Sequence, residues 1–435
     1  MFGYYLDLAL RSLRHNKRLT TLMVLAIGLG IGASMTMITV LHVMSSDPLP
    51  GRSAQLYYPH LDPLPLNFQQ SDYGPDPSIN FTWPDAMALL AAHRAERQAV
   101  MAGGSLLVRP AQSGSQPFHA NGRYATSDFF AMFGVPFRHG NGWSSADDDA
   151  RVRVVVLSET LSRKLLGTAD SVGRIVRLGD ADLRVIGVTA DWQPQPMFYA
   201  DASEKAFGDA DQFFLPLTTA LDLKFDANDN LSSWASFSGD MKSPTLTWLQ
   251  VWVQLKDAAQ ASVYRQFLVD YSVQQKTLGR FQRSPDHAAL YGLMPWLDRQ
   301  NLVPADVRLQ LWLALGFLLV CMTNIVALLL AKFLRRSNEI SVRRALGARR
   351  SDIFMQLGIE SALIGLAGGG LGLIIAQIGL WSVRRRPDDY AHLAQMDMPL
   401  LFGTFVLAVF ASVVAGLLPA WRACRVPPAL QLKTL

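Results

Sequence analysis

Four long stretches of this chain contain no Asp, Glu, Lys or Arg: Leu19 to Ser46, Leu309 to Ala331, Ser361 to Val383 and Met398 to Trp421. The last three hold 23, 23 and 24 residues. A helix of that length reaches roughly 35 Å at about 1.5 Å per residue, enough to cross a hydrocarbon core of about 30 Å. Buried helices of soluble proteins seldom run so far without a charge. The sequence therefore predicts four transmembrane helices. The composition agrees, with 50% apolar and 17% charged residues against about 25% charged in a soluble domain. It also excludes intrinsic disorder. Two cysteines in 435 residues exclude a disulfide scaffold and a Cys-based zinc ribbon. The first apolar stretch has a basic flank, Arg11 to Arg18, but is about twice the length of a signal-peptide core and has no clear A-x-A-like site after Met44. A retained anchor is the expectation.

Charge sets the topology. Residues 1–18 carry four Lys/Arg and one acid, residues 332–360 seven and three, and residues 422–435 three and none. Residues 45–308 carry 23 Lys/Arg against 28 acids. Basic segments stay in the cytoplasm, so both termini and 332–360 are expected inside and the long insert outside. Arg384, Arg385 and Arg386 fit an outer loop poorly, although Asp388, Asp389 and Asp397 offset them. The predicted fold class is a polytopic α-helical membrane protein with four transmembrane helices and a large α+β domain inserted between helices 1 and 2. Its expected divisions are a cytoplasmic amphipathic helix 1–18, spans 19–46, 309–331, 361–383 and 398–421, the outer domain 47–308, a cytoplasmic segment 332–360, a short outer loop 384–397 and a cytoplasmic tail 422–435.

Within the insert, Thr82 and Pro84 are placed to start a helix through 85–97. Ser127 is placed to cap a short helix that turns Phe130 and Phe133 inward and ends at Gly134. Arg151–Leu157 reads as a strand, followed by a helix capped at Ser158 and stopped at Gly167. Arg174–Leu178 and Leu183–Thr189 read as paired strands around a turn. Val251, Val253 and Leu255 alternate with Gln250, Trp252 and Gln254. Residues 258–278 suit a helix leading back towards the membrane. Residues 200–244, rich in Asp, Ser and Asn, are expected to hold a long exposed loop. The segment Trp192–Tyr199 (WQPQPMFY) reads either as a partner-binding edge or as a packed loop.

The first 18 residues place Asp7, Arg11, Arg14 and Arg18 on one stripe and Leu6, Leu10 and Leu13 on another, a pattern for a helix in the lipid headgroup region or for a plain juxtamembrane anchor. Residues 332–361 (KFLRRSNEISVRRALGARRSDIFMQLGIES) are the most informative. Asn338 is placed to cap a short helix, Glu339 and Arg343 stand at i, i+4, and Val342, Ala345 and Leu346 fall opposite. Gly347 is placed to end that helix, and Ser351 or Asp352 to cap the next, which runs into the third span. A short helix, a break and a helix continuous with a span make a lever. Read alone, the same segment is equally a solvated basic loop that sets topology. Gly28 and Gly32 in the first span and Gly365, Gly368, Gly369 and Gly372 in the third stand at four-residue spacings that let helices approach closely in lipid. No acidic or basic side chain lies in the four stretches, which argues against an ion path within them.

No G-x-x-x-x-G-K-[ST], H-E-x-x-H, G-x-S-x-G or C-x-x-C occurs, so no catalytic residue, cofactor site or metal site is expected. Asp226, Asn228 and Asn230 mimic the start of a calcium loop, but Leu231 and Phe237 stand where Gly and Glu are needed. Asp147–Asp149 reads as a solvated turn.

The stretch Glu339–Phe354 (EISVRRALGARRSDIF) with the Gly-rich span after it resembles the C-terminal signature of MacB/FtsX-like ABC transporter permeases. Ala415–Lys433 (AGLLPAWRACRVPPALQLK) resembles that family's ending, and Leu8–Gly32 its entry into the first span. SDFFAMFGVPFRHGNGWSSADD and VVVLSETLSRKLLG through RVIGV are similar to its periplasmic core domain. The likeness is weakest over 45–120 and 195–300. It implies a permease subunit in a bacterial inner membrane, paired as a homo- or heterodimer and contacting membrane lipid. It also implies a separate ABC ATPase chain that binds ATP, since only 18 residues precede the first span and no P-loop is present. A periplasmic adaptor and an outer-membrane channel are expected partners, and nucleic acid is not. By motif position, Glu339, Ile340, Arg343, Arg344, Ala345, Leu346, Gly347 and Ala348 fall on the ATPase-contacting segment, with Arg343 and Arg344 in polar contact, Leu346 as apolar anchor and Gly347 as turn. Export is the favoured function. Extraction of lipoproteins or lipids from the membrane and signalling to a periplasmic partner are the alternatives.

Overall fold

The structure, a computed structural model, describes residues 8–9, 11–12, 17–69, 76–110, 116–200, 206–303, 305–335, 342–343, 346–385 and 398–425. The chain divides into two units. Ser46–Leu302 form one, and Met1–Ser45 with Val303–Leu435 form the other. The second unit opens with helix α1 (Lys17–Ser45), whose register of Met23, Ile27, Ile31 and Met35 is buried against its neighbours.

Among the described residues, the insert is built on a mixed sheet of twelve strands. In chain order they are β1 (Leu56–His60), β2 (Phe81–Thr82), β3 (Arg97–Val108), β4 (Phe118–Ala125), β5 (Phe137–Gly140), β6 (Val154–Ser158), β7 (Ile175–Leu178), β8 (Ala181–Thr189), β9 (Phe213–Pro216), β10 (Ser232–Ser233), β11 (Leu246–Gln254) and β12 (Ala289–Gly292). The principal order across the sheet is β12-β1-β11-β3-β4-β9-β6-β8-β5. The pairs β4–β9 and β6–β8 are parallel and the other pairs antiparallel. Among the described residues, the helices that join the strands are α2 (Trp83–Ala91), α3 (Asp128–Phe133), α4 (Ser145–Asp149), α5 (Glu159–Leu166), α6 (Leu217–Asp222), α7 (Ala258–Thr277) and α8 (Leu293–Arg299).

Local chemistry explains most of these boundaries. The Thr82 hydroxyl accepts from Asp85 N and Pro84 occupies the first turn, so α2 starts there. It stops at Ala91, well short of residue 97, because Arg97 already pairs in β3 and His93 takes a left-handed conformation at φ 47°. Gly134 and Gly167 end α3 and α5 at φ 68° and 70°, which only glycine adopts without strain. Strand β6 begins at Val154 rather than Arg151, because Arg151 and Val152 close the turn after α4 by donating to Asp148 O and Asp147 O. The acidic run 147–149 is part of α4, where Ser144 and Asp147 form a capping box.

Three further differences from the sequence expectation have physical causes. Along β11 the alternation does not separate buried from exposed residues. Trp252 and Gln250 are as buried as Val251 and Val253, since both faces of that central strand are covered. Helix α7, capped by Asp257, does not lead straight to the membrane. The chain first returns to the sheet edge as β12 and then forms α8. Over the described part of 200–244, residues 206–233 contribute β9, α6 and β10 to the fold, and the continuous exposed run is limited to 235–240. Residues 194–200 form a packed loop in which Phe198 meets Trp252 edge-on at 5.2 Å and Tyr199 stacks on Trp192 at 5.3 Å.

The membrane unit is completed by α9 (Ala305–Arg335), α10 (Arg350–Val383) and α11 (Met398–Arg425). With α1 these are four helices long and apolar enough to cross a bilayer. Helix α10 packs on α1 and α11, and α9 on the same two. Ile325, Leu329 and Phe333 of α9, Ile353, Leu357, Ile364 and Ala376 of α10 and Ala408, Ala415 and Ala420 of α11 join the α1 residues in one apolar core. Large apolar side chains on the other face of α9, among them Leu309, Trp312, Leu313 and Val320, are exposed. Exposure of this kind suits lipid, where an apolar face has no hydrophobic penalty to escape by burial.

Candidate functional site

Helix α10 measures about 50 Å at roughly 1.5 Å per residue, longer than a hydrocarbon core. Its first turns therefore extend past the uncharged stretch that begins at Ser361. Immediately before it the chain makes a tight turn. Leu346 N donates to Val342 O at 3.0 Å and Ala348 N to Arg343 O at 3.1 Å, and Gly347 sits at φ 103°. Helix α10 starts at Arg350, after Arg349, whose N–H donates to the Asp352 carboxylate at 3.1 Å. Asp352 thus serves the helix start from inside the first turn, where negative charge also meets the helix dipole favourably. Ile353 and Leu357, one and two turns on, are locked into the core. Arg343 Nη1 donates to Gln356 Oε1 at 3.2 Å, which folds the turn back onto α10.

In this turn Leu346 is 83% exposed. Val342 is exposed beside it. The turn thus joins an exposed apolar side chain and a glycine at positive φ to a long helix whose next turns are buried. Of the eight residues singled out by sequence, Arg343, Leu346, Gly347 and Ala348 are thus brought together. Glu339, Ile340, Arg344 and Ala345 lie outside the described residues, as does Asn338.

The six glycines are points of close approach. A Cβ on Gly32 would lie 2.6 Å from Ile375 Cγ2 and 3.0 Å from Gly372 O. On Gly28 it would lie 2.8 Å from Leu371, and on Gly368 it would strike Ile27. Gly365 and Gly369 face α11, with Ser412 Cβ at 2.6 Å and Ala408 Cβ at 2.7 Å, and Gly372 faces Ile31 at 3.2 Å. These are contacts within one copy of the chain, between α10 and its two neighbours.

Sequence reasoning missed a polar knot. Lys332 of α9 and Glu360 of α10 bracket the 336–349 segment, and their side chains meet with Nζ 2.5 Å from Oε1, both 0% exposed. The Ser12 hydroxyl donates to the same Glu360 oxygen at 2.5 Å. The next residue, Ser361, accepts at its carbonyl from Ser412 of α11. The available signal was positional: Lys332 directly follows one uncharged stretch and Glu360 directly precedes another, so antiparallel helices place them level.

In the insert the buried charges are structural. Arg123 on β4 reaches Asp211 at 3.0 Å and Asp229 at 3.1 Å, and its guanidinium lies 5.0 Å from the Tyr199 ring centre. Burial alone would lower its pKa, but the two carboxylates outweigh that and raise it above the ordinary arginine value. Asp229 also accepts from Gly103 N, so the segment that resembled a calcium loop spends its charge on an arginine. Asp85 accepts from Tyr271 and Arg280, each at 2.7 Å, and ties α7 to α2. Among the described residues, no three His, Cys, Asp or Glu side chains gather as a metal site.

Comparison with known proteins gives two family matches. Residues 20–267, more than half of the chain, match the MacB-like periplasmic core domain, and residues 312–428 match the FtsX-like permease C-terminal domain. The macrolide export ATP-binding/permease protein MacB of Salmonella typhi is 26% identical over 313 residues, covering 71% of this chain and 42% of that protein. The pyoverdine export ATP-binding/permease protein PvdT of Pseudomonas entomophila is 26% identical over 339 residues, covering 75% and 44%. The chain thus spans less than half the length of these curated relatives. The crystal structure of the periplasmic region of MacB from Actinobacillus actinomycetemcomitans aligns at 15% identity with a TM-score of 0.35, over 57% of this chain and 94% of that one.

Proposed function

The chain belongs to the family of MacB-like, FtsX-like permeases, an inner-membrane protein with four spans and a periplasmic insert, and on that footing we propose that it is the membrane subunit of an ABC exporter that transmits force rather than conducting cargo. An ABC ATPase on another chain grips the turn at Leu346–Ala348. Movement of that turn is carried by α10 through the bilayer and changes the posture of the periplasmic insert. A second permease copy or a related chain completes the membrane assembly, with the exposed face of α9 shared between it and lipid. A periplasmic adaptor and an outer-membrane channel take the cargo onward.

The observation that carries this reading is the continuity of α10, one helix from the exposed turn to Val383, anchored in the core from its first turn onward. A solvated loop that only set topology would need neither an 83% exposed leucine nor a rigid helix behind it. The absence of any G-x-x-x-x-G-K-[ST] in the 435 residues supports an ATPase outside them. Export as the output is supported by the names of the relatives, which are macrolide and pyoverdine exporters.

The test is sidedness with activity. Cysteines placed at Leu346 and at exposed Ile175 of the insert should react with an impermeant maleimide from opposite faces of the membrane. The purified chain alone should not hydrolyse ATP, whereas its complex with the co-purifying ATPase should. Labelling of both sites from one face, or hydrolysis by the chain alone, contradicts the proposal.

A further inference from the structure

The force-transmitting turn has a closed base, and that closure is made by side chains outside the turn itself. Residues 336–349 leave from the end of α9 and return at the start of α10. A segment attached to two helices moves them together only if the helices are tied to each other close to where it leaves and returns. Otherwise a push on Leu346 is absorbed by the helices spreading apart. Lys332 and Glu360 stand on those helices, at the edges of their uncharged stretches, fully buried and 2.5 Å apart. An ion pair in so dry a site is hard to open, because separating it leaves a buried charge without its partner. Ser12, by donating to Glu360, brings the segment before α1 into the same tie. Ser361 extends it to α11 through Ser412. Four parts of the membrane unit are thus fastened at one level.

We propose that Lys332 and Glu360 are positioning residues that lock α9 and α10 together at the base of the coupling turn, so that movement imposed on the turn is delivered to both helices instead of being lost between them. This rests on the reading of 342–348 as the ATPase-contacting turn. It adds that transmission depends on a mechanical tie, not on the charges as such. A covalent link between the two positions should therefore replace the ion pair.

The experiment uses the complex of the full chain with its co-purifying ATPase in lipid nanodiscs. Lys332→Cys and Glu360→Cys are combined, with Cys321→Ala and Cys424→Ala removing the native thiols. The double replacement removes both charges, so neither is left buried without a partner. A short bis-methanethiosulfonate then joins the two cysteines, and dithiothreitol releases it. Expected is at least a tenfold loss of ATP turnover in the unlinked form with the ATPase still bound, and recovery to within about threefold of the parent on linking, reversed by reductant. Parental turnover in the unlinked form, or equal impairment of linked and unlinked forms, overturns the proposal. If the parent itself binds no ATPase, the coupling reading has failed rather than the tie. A conservative check is the exchanged pair Lys332→Glu with Glu360→Lys, which should keep turnover within about threefold because the attraction is preserved.

Discussion

Arg123 and Asp229 meet inside the insert with Nη1 3.1 Å from Oδ2 and only 2% and 0% of their side chains exposed. The contact joins a sheet strand to a segment more than a hundred residues further along the chain, and Asp211 closes the other side of the guanidinium. Removing one member of such a group leaves uncompensated charge in a dry interior. Arg123→Met should destabilise the insert by about 3–5 kcal/mol, read by urea unfolding of residues 46–302. Adding Asp211→Asn and Asp229→Asn should recover at least half of that loss, since an amide at position 229 still offers an oxygen to Gly103 N. No recovery would mean that arginine packing, not charge pairing, holds this segment.

Gly32 and Gly370 provide a matched pair in the membrane unit. A Cβ at Gly32 meets Ile375 and the backbone oxygen of Gly372, whereas one at Gly370 meets nothing within 4 Å. Gly32→Ala should cost about 1–3 kcal/mol through overpacking, visible as a lowered thermal midpoint in detergent. Gly370→Ala should leave the midpoint unchanged or raise it slightly, because alanine favours helix over glycine by about 1 kcal/mol. Equal effects at the two sites would remove the case for close helix approach.

Two groups in the insert give opposite pH dependences. Burial, helped by Arg299, lowers the His60 pKa from 6.5 to about 4. The fold therefore favours neutral His60. That stability is complete above pH 6.5 and is lost as the pH falls towards 4. Burial pushes Asp148 from 3.8 up to about 6, against the hydrogen bond from Ser127 N. The folded state then holds a proton that the unfolded chain releases, so this group weakens the fold as pH rises from about 4 through 6. His60→Asn should flatten the loss of stability below pH 6.5. Asp148→Asn should stabilise the insert by about 1–3 kcal/mol at pH 7 and by little at pH 4. Unfolding curves at pH 4, 5.5 and 7 test both signs.

The membrane architecture was legible because lipid forbids unpaired charge over a long helix, so Leu309–Ala331 and Ser361–Val383 announce themselves. Capped helices of the insert were legible where one residue decides the outcome, as Ser158 and Gly167 do for α5. What stayed hidden depends on partners distant in sequence. Gln250 and Trp252 look like a solvent face until both sides of β11 are covered. The Asp-rich stretch after residue 206 looks like solvent-exposed loop until Arg123 is found beneath Asp211 and Asp229. Lys332 and Glu360 look like ordinary juxtamembrane charges, because nothing local states that antiparallel helices will set them level. Half of the residues that motif position assigns to the coupling segment, Glu339, Ile340, Arg344 and Ala345, fall outside the described structure. The described part of the proposed lever consists of Arg343, Leu346, Gly347 and α10.

In the proposed coupling, Leu346 is the contact an ATPase holds, and a charge placed there should break the grip without reaching the core, since 83% of the residue is already exposed. The decisive measurement is the affinity of the co-purifying ATPase for the full chain and for Leu346→Asp, in the same nanodiscs and with thermal unfolding shown to be unchanged. A transmitting turn requires at least a tenfold weaker complex for Leu346→Asp. An ATPase bound equally well by both would show that force does not enter the membrane through this turn.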